Sequence, residues 1–211
     1  MRRKHLLLPS LLASALLLSA GHALAGADLS VTGKIERAGA CSLTLGNGGT
    51  VDLGTLSRKD LNETENTNFQ YDLPLSIQCP EPTTVAIKVV NNRQDVVDPY
   101  GSPMFGLEPS GSKGWYQFYS LERFGDGKPL SHMVSIDGQS WYPPTGIGND
   151  GYMIRPSWFS SWAEPGQALP QAFQNISSGL RFFIAIAPAQ DLDLSQPITL
   201  DGSATMELVY L

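Results

Sequence analysis

The sequence predicts an all-β protein built as an immunoglobulin-like β-sandwich. Short segments rich in β-branched and aromatic residues recur along the chain, separated by turn-forming residues. Glycine (21) and proline (15) are abundant among the 211 residues, whereas charged residues make up only 16%. Sustained helical or heptad periodicity is lacking, so short antiparallel strands in two packed sheets are expected.

The N-terminus has the three parts of a secretory signal peptide. A basic start, Met-Arg-Arg-Lys, precedes an apolar run that is too short and too broken to favour a membrane span. The run ends at Ala23-Leu24-Ala25, which matches a small-x-small cleavage site. We therefore predict a signal peptide over residues 1–25 and one exported domain over residues 26–211.

Removal of this signal makes the protein more acidic. Three of the 14 Lys and Arg residues leave with it, and the remaining 11 face 20 Asp and Glu residues, a net charge of −9. Nucleic acids and anionic membranes are bound by clustered basic residues. Nucleic acid is therefore not an expected partner.

Several segments of the mature chain are predicted strands. The first alternates strictly, with Leu29, Val31, Gly33 and Ile35 on one face. Other segments have the composition of strands, and an Asp-Gly pair predicts a two-residue hairpin turn within residues 133–142. The remaining predicted strands cover residues 41–45, 73–79, 84–90, 115–121 and 180–187. Residues 142–170 lack periodicity and are expected to form loops.

The last ten residues form a predicted strand with one apolar face. Its alternate positions are Ala204, Met206, Leu208 and Tyr210, and neither Lys nor Pro follows Gly202. Exposed strand edges normally carry such residues because they prevent pairing with other chains. The strand is therefore either buried by earlier strands or presented to another chain.

The mature chain contains two cysteines, Cys41 and Cys79. In an exported protein, a structural disulfide is the simplest outcome, although two buried thiols or a redox pair are alternatives. Closing a loop of this size stabilises a fold by roughly 3–4 kcal/mol in the chain-entropy model.

Catalytic chemistry has little support in the sequence. His132 is the one histidine outside the signal peptide, and its position predicts a surface or turn residue. Nucleophilic hydrolysis usually needs a histidine base, and the cysteines lack the close spacing of zinc ligands. We expect no enzyme activity, no metal and no cofactor.

The ordered set of motifs resembles a subunit of a chaperone–usher pilus, or fimbria. The set comprises the signal peptide, Gly33-Lys34-Ile35 leading to Cys41, Cys79 at a strand end, and the penultimate Tyr210. Val51-Asp52-Leu53-Gly54 and the Phe183-x-Ala185 pair also resemble the family. Ile198 stands near the position where the family usually has glycine, and the region between Pro99 and Pro170 is a long loop-rich insertion. These departures indicate a divergent or minor subunit.

The resemblance implies an incomplete sandwich that lacks its final strand. A periplasmic chaperone, and then the strand of a neighbouring subunit delivered at the outer-membrane usher, would fill the resulting groove. Ala204, Met206, Leu208 and Tyr210 would line it, and Cys41 and Cys79 would join the first two strands. The segment containing Leu29, Val31, Gly33 and Ile35 would be a donor strand or the first strand of the domain. The protein would pass through the periplasm to a fimbrium at the cell surface and serve in adhesion.

Aromatic residues in the middle of the chain suggest an alternative. Trp141, Tyr142, Trp158 and Trp162 are candidate ligand-binding residues because aromatic rings beside polar loops stack on sugars. The competing interpretation is that they fill a second core under the loops. The alternative function is thus a self-contained secreted β-sandwich that binds a glycan or surface ligand through its Trp-rich loops.

Overall fold

Two antiparallel β-sheets make up the fold of this chain. The computed structural model describes residues 39–93, 95–97, 103–143 and 152–211, all within the unit Glu36–Leu211. The predicted signal peptide and the alternating segment from Leu29 to Ile35 lie outside the described residues. Among the described residues, all helical structure consists of short 3-10 turns, at Gly46–Gly49, Arg58–Asp60 and Ala189–Asp191.

The larger sheet has eight strands. Six lie side by side in the order β1 (Ser42–Leu45), β2 (Thr67–Thr83), β11 (Phe173–Ile186), β6 (Gly114–Gly125), β5 (Pro103–Gly106) and β4 (Asp95–Val97). Two short strands, β7 (Lys128–Pro129) and β9 (Tyr152–Ile154), also pair with β6.

The smaller sheet has four strands, and the end of the chain forms one edge of it. Their order is β12 (Ala204–Tyr210), β3 (Val85–Asn91), β10 (Phe159–Ala163) and β8 (Ser131–Ser135). The all-β sandwich predicted from the sequence is thereby confirmed.

Alternating side chains of both sheets form one hydrophobic core. On β2, Leu75, Ile77 and Cys79 are almost fully buried and face the interior, while Ser76 and Gln78 between them are more exposed. This alternation is the period of a strand with one buried face. The core cluster combines these residues with others from both sheets: Val85, Ile87 and Val89 of β3, Tyr116 and Phe118 of β6, Trp162 of β10, and Leu180 and Ile184 of β11.

The disulfide between Cys41 and Cys79 is present, with an S–S distance of 2.05 Å. It joins the residue that precedes β1 to a buried position of β2, so the structural interpretation of the two cysteines is confirmed. A tight turn follows β1, where Asn47 (φ 50°), Gly48 (φ 60°) and Gly49 (φ 78°) all have left-handed backbone conformations.

The structure corrects three predicted elements. First, β2 is 17 residues long and continues through Pro80 and Pro82, past residue 79, the predicted end of the strand. Pro80 and Pro82 are tolerated because β1 pairs only with residues 75–78 of β2, which leaves these prolines without a β1 partner.

Second, the hairpin after β8 is not closed by a two-residue turn, since Val134 pairs with Tyr142. Asp137 instead organises a wider turn by accepting backbone hydrogen bonds from Gln139 and Ser140, each 2.8 Å long.

Third, the central part of the chain is not a loop-rich insertion. Its described residues supply β5 to β10, which belong to both sheets. Within it, β10 has the sequence Phe-Ser-Ser-Trp-Ala and is buried from Ser160 to Ala163. A strand buried on both faces shows no polar–apolar alternation, which explains why the sequence pattern missed it.

Candidate functional site: an open groove beside the last strand

Strand β12 is paired on one side within the described residues. It is antiparallel to β3, with Ala204 opposite Asn91 and Tyr210 opposite Val85. On its other side, the described chain provides no strand. The alternation predicted from the sequence is present, since Thr205 and Glu207 are exposed while Met206 and Leu208 are half-buried.

A groove of about 680 Å³ opens between the two sheets beside this edge. Met206 and Ala204 line it on β12, and Val89 lines it on β3. The opposite wall consists of apolar residues from the larger sheet: Leu45 of β1, Tyr116 and Phe118 of β6, and Leu180, Phe182 and Ile184 of β11. The groove therefore enters the hydrophobic core and is floored by both sheets.

Two irregular segments form the rims of the groove. Residues 49–56 follow the turn after β1, and residues 197–203 lead into β12. Val51, Leu53 and Leu56 on the first rim are only partly buried, although all three pack against the core. Half-buried apolar side chains on both sides of an open groove leave apolar surface that another chain would bury favourably.

Tyr210 has a different place from the one predicted. Its side chain is 51% exposed, and it is not among the residues that line the groove. The phenol oxygen instead accepts a hydrogen bond from the backbone N–H of Cys41, over 2.8 Å. Leu208 packs against the core cluster beside the groove. Ala204 and Met206 therefore line the groove, whereas the hydrogen bond of Tyr210 fixes one end of β12.

The charged side chains that line the groove are acidic. Asp52 and Asp201 belong to its lining, and Asp201 also makes an ion pair of 3.0 Å with Arg93. Burial raises the pKa of Tyr116 well above its ordinary value, against a smaller opposing effect of Arg93. Apart from Tyr116, which is neutral at pH 7, the residues on the walls from both sheets are apolar, which suits an apolar occupant better than an ionic one.

His132 lies in the core and not at the surface, contrary to the sequence prediction. It is 1% exposed, on β8 opposite Trp162 of β10. Its Nε2 atom is 3.1 Å from Ser160 Oγ. Burial, assisted by the positive charge of Arg123, lowers the pKa of His132 to about 3. Ser160 is also buried, at 2% exposure, so a substrate cannot reach this pair in the folded protein.

The predicted aromatic ligand site does not come together as proposed. Trp162 is 2% exposed and belongs to the hydrophobic core cluster, so it cannot contact a surface ligand. Trp158 is half-buried and lies under the guanidinium of Arg155, 4.9 Å from its ring centre. Trp141 is half-buried and Tyr142 is exposed in the turn that follows β8. Trp162 therefore fits the core interpretation of these aromatics.

Sequence reasoning missed most of the groove. It identified the face of β12 but not the opposite wall on β6 and β11, because residues such as Phe118 and Phe182 look like ordinary core positions. Long-range strand pairing brings them to the groove, and one sequence carries no local signal for it.

In the part of the chain that the structure describes, no group of three His, Cys, Asp or Glu residues is arranged to hold a metal ion. No helix in those ranges is long and apolar enough to cross a membrane.

Comparisons with known proteins identify relatives whose descriptions assign no activity. Residues 29–103 match the model of a family described as "Protein of unknown function (DUF1120)". The chain is also similar to "Uncharacterized protein YhcF" of Escherichia coli (strain K12), with 26% identity over 209 residues. This alignment covers 82% of the chain and 86% of the relative.

Proposed function

We propose that this protein is a structural or adhesive subunit of a bacterial surface fimbria that is assembled by donor-strand complementation. A strand supplied by a periplasmic chaperone, and later by a neighbouring subunit at the outer-membrane usher, would pair with β12 and fill the groove. The observation that carries this proposal is the edge of β12, which no strand of the described residues pairs with, beside the groove between the sheets.

Strand addition would use both the edge of β12 and the groove beside it. The backbone of an incoming strand would pair with the N–H and C=O groups on the free side of β12, and its alternate side chains would enter the groove. The half-buried Met206 and the rim residue Leu53 would then lose their remaining contact with water. Since apolar burial contributes about 25 cal/mol per Å², this arrangement favours an extended apolar segment.

The order of the strands supports an immunoglobulin-like arrangement without a final strand. The first two strands of the larger sheet are joined by the disulfide, and the last strand of the chain lies at the edge of the other sheet. An added strand beside β12 would extend the smaller sheet from four strands to five. The hydrogen bond from the backbone N–H of Cys41 to the phenol oxygen of Tyr210 joins the end of β12 to the residue before β1.

Co-expression with a chaperone of the chaperone–usher class tests this proposal. We expect the full chain to be purified from periplasmic extracts as a one-to-one complex with the chaperone. Without the chaperone, it should aggregate at high concentration. Met206→Glu would place a charge in the groove and should reduce capture about tenfold or more. Thr205→Glu puts the same charge on the exposed face of the same strand and should leave capture nearly unchanged.

Two results would count against the proposal. One is a stable monomer that never forms a complex with the chaperone at any tested ratio. The other is equal capture of the Met206→Glu and Thr205→Glu variants, because the groove would then have no part in binding.

A further inference from the structure

Glu207 is the charged residue of β12, and it lies on the face of the strand that points away from the groove. It is exposed, whereas its neighbours Met206 and Leu208 are half-buried and pack against the core. Since side chains alternate across a strand, Thr205 and Glu207 share the outer face. The hydroxyl of Thr205 accepts a hydrogen bond of 2.9 Å from Asn92 Nδ2. Glu207 is therefore the charged group that an added strand would meet on this face.

The nearest lysine in the sheet register contacts an aromatic ring. Lys88 of β3 lies opposite Glu207, and Phe159 of β10 lies opposite Lys88. These three residues form a row across the outer face of the smaller sheet. The Nζ atom of Lys88 is 5.1 Å from the centre of the Phe159 ring, a contact that attracts a cation. Because β10 and β12 lie on opposite sides of β3, this contact draws the ammonium group away from Glu207.

The carboxylate of Glu207 has no cationic partner among the residues that the structure describes. Their ion pairs involve other acidic side chains, namely Glu63, Asp72, Glu108, Glu164 and Asp201. A strand added beside β12 would place one of its outward side chains next to Glu207, with the two Cβ atoms about 4.5–5.5 Å apart. Opposite charges at such positions attract, and like charges repel.

The charges around this edge favour a basic partner. Asp52 lines the groove beside β12 and is exposed. Asp201, the other charged lining residue, is paired with Arg93 over 3.0 Å. Asp52 and Glu207 thus remain as negative charges on the two sides of the edge, and the whole chain carries a net charge of −6. Complementary charge in the incoming segment would assist both its approach and its alignment.

We propose that Glu207 is a specificity-determining residue, which favours a partner strand with lysine or arginine at the outward position beside it. This inference rests on the proposed function, because it concerns the same edge. The groove would accept the apolar side chains of the incoming strand, and Glu207 would pair with one basic side chain on the opposite face. Two segments with the same apolar pattern would then differ in affinity according to the charge at this one position.

Fluorescence anisotropy with labelled synthetic peptides and the dilute mature chain tests this inference. Each peptide has about ten residues, the length of a strand, with Val and Ile alternating with Gln and an uncharged polyethylene glycol tail for solubility. One Gln at a time is replaced by Lys or by Glu. At one position, Lys should strengthen binding about two- to fivefold relative to Gln, and Glu should weaken it by a similar factor. High salt should reduce both differences, because it screens exposed charges.

Charge reversal in the protein identifies the residue responsible. Glu207→Lys should reverse the preference at that peptide position, and Glu207→Gln should remove it. Glu122→Gln removes the same charge from an exposed position on β6 of the other sheet and should keep the preference. Peptides that bind equally whatever their charge, or a preference for Lys that persists in Glu207→Lys, would overturn this inference and leave the groove as a docking site. Failure of every peptide to bind would overturn the proposed strand addition together with this inference.

Discussion

The phenol oxygen of Tyr210 lies 2.8 Å from the backbone nitrogen of Cys41 and accepts its hydrogen bond. This contact ties the last strand of the chain to the residue that precedes the first described strand. Cys41 is also bonded to Cys79 of β2, so the end of β12 is linked to the larger sheet as well as to β3. A docking edge that is held in place in advance loses less conformational entropy when a partner strand binds.

Replacing Tyr210 by phenylalanine should destabilise the protein modestly. The change keeps the ring but removes the acceptor of the Cys41 N–H, and the site is exposed enough for water to replace it. We expect a loss of about 0.5–1 kcal/mol in the free energy of unfolding, measured by urea denaturation of the dilute chain. Tyr142→Phe removes a phenol that is also exposed and should change stability by less. Equal losses in the two variants would mean that the Cys41 contact has no energetic role.

Removing the disulfide should cost considerably more. Replacing Cys41 and Cys79 together by alanine opens a loop with a sequence separation of 38. The chain-entropy model predicts a loss of roughly 3–4 kcal/mol, seen as a lower urea midpoint. Dithiothreitol should lower the midpoint of the unmodified protein in the same way. It should have no effect on the double variant, and an effect there would point to a cause other than this disulfide.

Protonation of His132 should destabilise the protein at mildly acidic pH. Burial holds its pKa at about 3 in the folded chain, below the ordinary 6.5, so the unfolded chain binds the proton more tightly. The stability that depends on a neutral His132 is fully present above pH 6.5. It is lost progressively as the pH falls from 6.5 toward 3. The free energy of unfolding should drop by about 2 kcal/mol between pH 7.5 and 5.

The variant His132→Gln isolates this effect. It lacks the titrating group, so its stability should change much less over the same pH interval. Carboxylates with lowered pKa values, such as Glu108 at about 2, contribute stability that is lost only below their ordinary values near 4.5. The loss of their stabilisation therefore falls mostly below the interval from pH 7.5 to 5. An unchanged slope in His132→Gln would refute the assignment.

Gly202 should be sensitive to any side chain. A Cβ atom there would lie 2.9 Å from Cε1 of Tyr116 and 3.3 Å from the carbonyl oxygen of Gly106. Gly202→Ala must therefore shift the rim of the groove, at a cost of about 1–3 kcal/mol. Thr199→Ala, on the exposed part of the same rim, should change stability by about 0.5 kcal/mol or less. Thermal unfolding distinguishes them, and a neutral Gly202→Ala would show that the rim moves freely.

The sequence predicted those parts of the fold that have a local signal. Strand β12 was visible because one face is apolar and the other is polar, and the Cys41–Cys79 bond followed from the cysteine count. The pattern failed where burial on both faces removed the alternation, as in β10. It failed again at His132, whose burial follows from its pairing opposite Trp162. The walls of the groove depend on strand register, which a single sequence does not encode locally.

Hydrogen–deuterium exchange of the β12 backbone tests the open edge most directly. In the dilute protein alone, the amides of Ala204–Tyr210 that point toward β3 should exchange slowly, and the alternate ones that point away should exchange rapidly. Addition of the chaperone should slow the second group. Protection of every amide of β12 in the protein alone would contradict the account, because the edge would already be occupied.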